Sequence, residues 1–271
     1  MKSPERLHGN SALTASSEAG RRLLAVGRVH LWQGGSLWIG RGHGRSDWHD
    51  HHALQIALAL DGTCMFRSQA DGTWSEFQGA IVQSHRQHQF EAEGATMAQL
   101  FIEPETVEGR RLYERFVDDI SPLPEAPRRA MARLLGDALR SHAQADQMIA
   151  AARAATLLLA GVAAPVATSD ARIDQAIAYI RSSIDASITL GQAAAVSGLS
   201  PGRFRHLFVA QTGTSFRAYV LWTRLNVAIQ FAMAGRSWTE AAHAAGFADS
   251  AHLTRTFRRM FGMNPAALVP A

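Results

Sequence analysis

Three histidines in the first third of the sequence have the spacing of a metal-binding or ligand-binding group. His49 and His51 alternate just before the apolar run Leu54–Leu60, and His88 follows the run Ala80–Val82. Strand side chains alternate between two faces, so the first two rings would share one face of a strand. A third ring from a neighbouring strand would complete a site for Zn, Cu or Ni. The other interpretation is that these histidines line an organic-ligand pocket or bond to the backbone.

A second kind of chemistry is indicated near the C-terminus, where one short pattern occurs twice, 48 residues apart. The first copy contains Gly198 and Ser200, and the second contains Gly246 and Asp249. Each copy predicts a short helix, a turn whose glycine takes a left-handed conformation, and a second helix that begins at a side-chain cap. This is the sequence form of a helix-turn-helix unit, which places its second helix in the DNA major groove.

Basic side chains lie opposite the apolar stripe of each second helix. At helical spacing, Arg205 and Arg255 would face away from the core. A guanidinium in that position can donate two hydrogen bonds to O6 and N7 of guanine. Three further arginines are better placed to contact phosphates, which orient a protein without specifying sequence: Arg203, Arg258 and Arg259. The alternative is that all these arginines form only a solvated helix face.

The elements that must position these residues fall into two groups. Short β-branched and aromatic runs between residues 26 and 103 predict strands of a sandwich or small barrel, and Asp61–Gly62 predicts a hairpin turn. From residue 107 the period becomes helical, with two apolar stripes that we expect to form a dimer interface between about Pro124 and Ala163. The stripes are Met131, Leu134, Leu135, Ala138 and Leu139, then Ile149, Ala152, Ala155, Thr156 and Leu159.

Composition and charge limit the class of protein. The chain has 271 residues, of which 47% are apolar, and suits two modest domains. No run approaches the roughly 18 apolar residues of a membrane span, and residues 1–25 read as a flexible leader without a signal peptide. The single Cys64 favours a reducing cytoplasm. From Arg172 onward ten arginines face four acidic residues, a formal charge of +6, whereas residues 1–171 carry −2, which favours a polyanion partner for the C-terminal segment.

The C-terminal pattern resembles the DNA-binding domain of the AraC/XylS family of bacterial transcription regulators over about residues 172–268. The resemblance is carried by the second repeat and the segment that closes it, and Arg224 and Ala228 in the connecting helix also match. The matching positions of the second repeat are Gly246, Phe247, Asp249, Leu253, Arg255, Phe257, Phe261, Gly262, Asn264 and Pro265. Carried over by position, the base-contacting residues are Gly202, Arg205, His206, Ser250, Ala251, His252 and Arg255. The connecting segment Ser215–Met233 would make a rigid helix of about 28 Å, long enough to hold two reading helices roughly one DNA turn apart.

The N-terminal half is similar to a cupin barrel, the usual sensory domain of that family, over about residues 26–102. His49 and His51 match the paired histidines of the first cupin motif, Gln55 its glutamate, and His88 the histidine of the second. The resemblance implies an effector site at these four residues. A neutral amide in place of the carboxylate makes a site for a hard divalent metal less favourable, so we assign no metal or other cofactor. Three-histidine binding of Zn, Cu or Ni by His49, His51 and His88 stays the alternative.

Together these patterns predict an α+β multidomain protein. A leader (1–25) precedes a cupin-like β-barrel with flanking dimerisation helices (26–163), a linker (164–171) and an all-α domain with two helix-turn-helix units (172–271). The expected function is that of a cytoplasmic, homodimeric transcription regulator that binds double-stranded DNA and a small-molecule effector, with RNA polymerase as a further candidate partner. No enzyme motif is present. The alternatives are a metal-dependent cupin enzyme fused to a DNA reader and a dimeric regulator that responds to no ligand.

Overall fold

A computed structural model describes residues 22–69, 72–161 and 170–271. We call residues 22–161 the N-terminal part and residues 170–271 the C-terminal part. Among the described residues, the N-terminal part is built on one sheet of nine strands, the last of which comes from the C-terminal part. The short apolar runs predicted the first seven strands but not the last two. The strands are β1 (Leu24–Trp32), β2 (Gly35–Arg45), β3 (Leu54–Ala59), β4 (Cys64–Ser68), β5 (Ser75–Phe77), β6 (Gly79–Val82), β7 (His88–Ile102), β8 (Ile120–Pro122) and β9 (Leu268–Pro270).

The sheet does not close into the predicted barrel. Its strand order is β8-β6-β3-β7-β2-β1-β9, with β4 paired to β7 and β5 paired to β4. Among the described residues the two outer strands of that order do not pair with each other. The physical reason is that each edge is already covered: β8 pairs with β6, and β9 pairs in parallel with β1.

The predicted hairpin at Asp61–Gly62 is wrong, because the strands on either side of it do not pair. β3 pairs with β6 and the C-terminal half of β7, whereas β4 pairs with β5 and the N-terminal half of β7. The Asp61 carboxylate instead accepts hydrogen bonds from the backbone N–H and the hydroxyl of Thr96, at 2.7 and 2.8 Å. The turn is thus fastened to β7, and it carries the chain from one half of that long strand to the other.

The two faces of the sheet pack against different partners. On one face, large aliphatic side chains such as Leu37, Ile56 and Leu100 pack against three helices. On the other face, the alternate residues Trp38 and Phe101 pack against the C-terminal part. The three helices are α1 (Val107–Arg115), α2 (Glu125–Arg140) and α3 (Ala145–Ala160).

The apolar stripes of α2 and α3 are largely covered within one copy of the chain. Met131 and Leu135 of α2, and Ala152, Ala155 and Leu159 of α3, are fully buried against the sheet. The sheet therefore covers most of both stripes, and the dimer interface expected at them stays a prediction. The large apolar side chains that stay exposed on α3 are those of the adjacent residues Leu157 and Leu158, whose exposed fractions are 45% and 47%.

The C-terminal part is helical apart from β9. Its helices are α4 (Ala171–Ser182), α5 (Leu190–Val196), α6 (Pro201–Thr212), α7 (Phe216–Met233), α8 (Trp238–Ala244) and α9 (Ser250–Phe261), followed by one 3₁₀ turn at Pro265–Ala267. Asp170 caps α4 through the backbone N–H of Arg172, as the end of the linker predicted. Most of the predicted leader and linker lies outside the described residues. Within the described residues, we find no helix with the length and apolar character needed to cross a membrane.

Candidate DNA-binding surface and buried histidine site

The first helix-turn-helix unit consists of α5, a glycine turn and α6. Gly198 has φ +64°, in the left-handed region, as its place in the turn predicted. Ser200 caps α6 by accepting a hydrogen bond from the backbone N–H of Arg203, and Pro201 occupies the first helical position. Phe204 and Phe208 are fully buried. The unit is therefore built from its local sequence signals.

The second unit, α8 to α9, repeats this construction with a turn that is one residue longer. Gly246 has φ +75°, and Asp249 caps α9 by accepting a 2.6 Å hydrogen bond from the backbone N–H of His252. Leu253 and Phe257 are fully buried. A Cβ at Gly246 would lie 2.6 Å from the carbonyl oxygen of Ile184, in the loop before α5. The glycine therefore permits a close approach between the two helix-turn-helix units.

The residues predicted to contact DNA lie on the outer faces of α6 and α9. On α6, Gly202, Arg203, Arg205 and His206 are exposed. On α9, four of the predicted residues are exposed and two are half-buried. The ring of the half-buried His252 packs edge-on against Phe247, with the ring centroids 5.2 Å apart. The exposed ones are Ala251, Arg255, Arg258 and Arg259, and the half-buried ones are Ser250 and His252. In the described part of the chain none of the five arginines of this set is in an ion pair, so their guanidinium groups can take phosphate or base partners.

A further arginine joins this surface that the sequence analysis missed. Arg217 is exposed in the first turn of α7, after the cap Ser215. It lines a groove of about 430 Å³ between the start of α7 and α9, together with Arg255 and Arg259. Its two-residue distance from the cap was the available signal, because that distance places it at the N-terminal end of the connecting helix.

The three predicted histidines come together in the interior. Their ring centroids are 4.1 Å (His49–His88), 5.2 Å (His51–His88) and 5.8 Å (His49–His51) apart, and no ring is more than 4% exposed. His49 and His51 precede β3 and do not lie on it, contrary to the prediction. They are positioned by a backbone bridge between His49 and His88 at 3.0 and 3.1 Å.

Burial keeps these rings neutral. It lowers the pKa of His49 to about 3, with a smaller effect from His51, and it lowers the pKa values of His51 and His88 as well. Each Nδ1 lies 2.7 to 2.9 Å from a backbone carbonyl oxygen, of Asp47, Ala53 and Arg86 respectively. A carbonyl oxygen only accepts, so Nδ1 carries the proton in every ring and each Nε2 presents a lone pair.

Gln55 bridges two of these lone pairs. Its side-chain Oε1 is placed 3.0 Å from Nε2 of both His51 and His88, and its Nε2 lies 2.9 Å from Oε1 of Gln99. Oxygen cannot donate to the two bare ring nitrogens, so hydrogen bonding requires the NH₂ group of Gln55 at that position, donating one hydrogen to each ring. Gln99 then donates to the remaining oxygen. In this arrangement both ring nitrogens of His51 and both ring nitrogens of His88 have a hydrogen-bond partner.

The same geometry fits a metal donor set. One ring nitrogen from each of the three histidines lies within 4.8 Å of the other two. Neutral imidazoles suit Zn, Cu or Ni, provided that the Gln55 amide gives up its hydrogen bonds to Nε2 of His51 and His88. The amide itself supplies no negative charge for a hard cation.

An apolar cavity of about 80 Å³ adjoins the histidine cluster. Of the four residues predicted to bind an effector, His49 and Gln55 line it, whereas His51 and His88 do not. Another part of the lining belongs to the C-terminal part and consists of Phe261, Met263 and Leu268. The sequence carried no sign of this wall, because it forms only when residues about 220 positions apart meet.

A buried polar cluster away from the lining of this cavity joins the two parts of the chain. The Glu103 carboxylate accepts hydrogen bonds from Arg181 of α4 and, at 3.1 Å, from the indole N–H of Trp222 in α7. Nearby, His52 lies 2.9 Å from the Glu105 carboxylate. Burial, with the neighbouring Glu105 carboxylate, raises the pKa of Glu103 to about 7. None of these five residues was predicted to be functional from the sequence.

The tandem units with their exposed arginines define a class: a helix-turn-helix DNA-binding protein with an attached sheet domain. Residues 193–269 match the helix-turn-helix domain family. The transcriptional activator NphR of Rhodococcus sp. is 38% identical over 82 residues, which are 30% of this chain and 24% of NphR. The probable transcriptional regulator LumQ of Photobacterium leiognathi is 31% identical over 88 residues, 32% of this chain and 36% of LumQ. The chain thus matches only about a quarter to a third of the length of these curated relatives.

One solved structure extends the similarity of fold to both parts. ToxT from Vibrio cholerae superposes with a TM-score of 0.54 over 90% of this chain and 94% of ToxT, at 9% identity. ToxT has also been solved with an unsaturated fatty acid bound. The predicted resemblance of the C-terminal part to the DNA-binding domain of AraC-type regulators is confirmed.

Proposed function

We propose that this protein is a sequence-specific DNA-binding transcription regulator that responds to a small-molecule effector. The observation that carries the proposal is the pair of capped reading helices, α6 and α9, whose exposed Arg205 and Arg255 are in no ion pair among the described residues. The 18 residues of α7 give a rigid connection of about 27 Å between the units, close to one turn of DNA. Control of transcription also makes RNA polymerase a candidate partner.

The direct test is selection of duplexes from a random DNA pool by the full chain, followed by a footprint on the selected sequence. We expect enrichment of one sequence and protection of two successive major grooves, about 20 base pairs for one copy of the chain. A pool that is not enriched, or a footprint confined to a single groove, would contradict the proposal.

The cavity supports an effector with an apolar body and one polar end. Its walls are mostly apolar, formed by side chains such as Trp38, Met97 and Phe101, whereas His49 and Gln55 supply polar atoms at one end. Such a combination orients a ligand while apolar burial supplies the affinity. A fatty acid has this form, and an unsaturated fatty acid is bound in one structure of ToxT.

We expect simultaneous replacement of His49, His51 and His88 by Ala to weaken effector binding at least tenfold and to leave DNA affinity unchanged. The physical reason is that His49 lines the cavity, whereas His51 and His88 contact the side chain of Gln55, which lines it as well. Titration calorimetry with dodecanoate measures the first quantity, and a gel-shift assay with the selected duplex measures the second. His85→Ala is the matched control, because His85 lies in the loop just before His88 but is partly exposed.

The same variant decides between the regulator and the alternative of a metal-dependent cupin enzyme, which the converging Nε2 atoms favour. Stoichiometric Zn, Cu or Ni in the wild-type protein that disappears in the triple variant would establish a metal site. Unchanged dodecanoate binding by a folded triple variant would rule the histidines out as the effector site. Effector-independent DNA affinity would instead favour the regulator that responds to no ligand.

We further propose that the protein is a homodimer, with Leu157 and Leu158 of α3 at the interface. Two adjacent leucines exposed by nearly half on a covered helix are the remaining apolar surface of α3. Replacing both by Arg should convert a dimer at micromolar concentration into a monomer in sedimentation velocity. Val196→Arg, at a position that is also 47% exposed but lies in the C-terminal part, should leave the dimer intact. A wild-type protein that sediments as a monomer would contradict this prediction.

A further inference from the structure

One wall of the effector cavity is built by the segment that follows the second reading helix. We call Phe261, Met263 and Leu268 the C-terminal wall; each is 6% exposed or less. Phe261 is the last residue of α9, and its ring centroid lies 4.7 Å from that of Trp38 and 5.4 Å from that of Phe101. The side chains that close the cavity are therefore continuous with a DNA-reading element.

Backbone contacts hold this wall against the sheet. The backbone N–H of Asp47 donates a 2.7 Å hydrogen bond to the carbonyl of Gly262. β9 pairs in parallel with residues 25–27 of β1, and the backbone N–H of Ala271 donates a 3.0 Å bond to the carbonyl of Gly27. A strand of three residues at a sheet edge makes few such bonds, so its detachment costs little compared with opening the ladders between β2 and β7.

Because the cavity is small, it matters that detaching β9 costs less than opening the ladder between β2 and β7. Its volume of about 80 Å³ is well below the ~300 Å³ at the lower end of small-molecule sites. An effector of ordinary size must therefore enlarge the cavity. The wall that yields is the weaker one, and that is the C-terminal wall.

We propose that the effector and the C-terminal wall compete for the same space, so that effector binding releases Leu268–Pro270 from β1. The inference rests on the proposed effector site and adds how that site is regulated. Because the wall begins at the last residue of α9, its release removes the anchor that ties the second reading helix to the N-terminal part. The effector then shifts the protein between an anchored and a released arrangement through its greater affinity for the released one.

The test uses the full chain with dodecanoate as the probe. We expect bound dodecanoate to speed hydrogen exchange in the peptide spanning residues 262–271. We also expect Leu268→Ala to bind dodecanoate about tenfold more tightly than the wild type, because the competing segment loses buried apolar contact. Val269→Ala, on the same strand but 37% exposed, should bind as the wild type does.

Each contrary result overturns the proposal. Slower or unchanged exchange in residues 262–271 on binding would show that the wall stays in place, and weaker binding by Leu268→Ala would show that the wall is a ligand contact and does not compete. Absence of dodecanoate binding in both the wild type and Leu268→Ala would reject the competition for this ligand class. The DNA selection described above is independent of dodecanoate, so it separates such a failure from a failure of the proposed regulator.

Discussion

Arg205→Ala and Arg255→Ala are each expected to weaken binding to the selected duplex by ~1–3 kcal/mol, roughly 5- to 150-fold, with little change on random DNA. Both guanidinium groups are exposed and free of ion pairs, so each substitution removes hydrogen bonds to a base without disturbing the fold. Gel-shift titrations of both variants against the selected and random duplexes measure the ratio of the two affinities.

Arg258→Ala is the matched control on the same helix as Arg255. As a phosphate contact it should weaken binding to both duplexes and lower the slope of log affinity against log salt by about one. If Arg205→Ala left the ratio of selected to random affinity unchanged, Arg205 would have no role in reading sequence.

A comparison of two glycines should give the largest difference in stability. Gly198 and Gly246 occupy the same place in the two units and have similar φ angles, +64° and +75°. At Gly198 a Cβ would meet open space, so Gly198→Ala should cost only the ~1–2 kcal/mol of a left-handed alanine. At Gly246 a Cβ would lie 2.6 Å from the backbone oxygen of Ile184, which adds a further ~1–3 kcal/mol of overpacking.

Chemical denaturation of the two variants, followed by circular dichroism, measures the difference in the free energy of unfolding. The Gly246→Ala variant should also lose DNA affinity, because the clash pushes apart the loop before α5 and the turn before α9. Equal destabilisation by both substitutions would mean that the backbone of Ile184 yields without cost, and that the two units are not fixed to each other at this point.

The accuracy of the sequence predictions follows the range of the interactions involved. The turns at Gly198 and Gly246 and the caps Ser200 and Asp249 were predictable because each depends on residues within one or two helical turns. The convergence of His49, His51 and His88 was also predictable, although the strand assumed for the first two is absent. Their side chains converge because His49 pairs with His88, and strand periodicity does not encode that pairing.

Features that depend on contacts between distant residues could not be predicted from the sequence. The β1 edge of the open sheet pairs with β9. No local sequence pattern predicts a strand at Leu268–Pro270, at the end of a helical domain. The apolar stripes of α2 and α3 were visible, but periodicity alone does not tell whether a stripe covers the sheet or a second copy. The buried cluster at Glu103 combines residues from β7 onward, α4 and α7, and each of them looks unremarkable as a charged or aromatic residue in its own segment.

The pairing of β1 with β9 also bears on how the chain reaches its native state. Residues 25–27 emerge early in synthesis, and their partners 268–270 follow more than 240 residues later. Until then one edge of the sheet has unpaired N–H and C=O groups and can pair with another nascent chain. Closing so long a loop is entropically costly and slow. The β1 edge therefore gains its partner only after almost all of the chain between the two strands has been made.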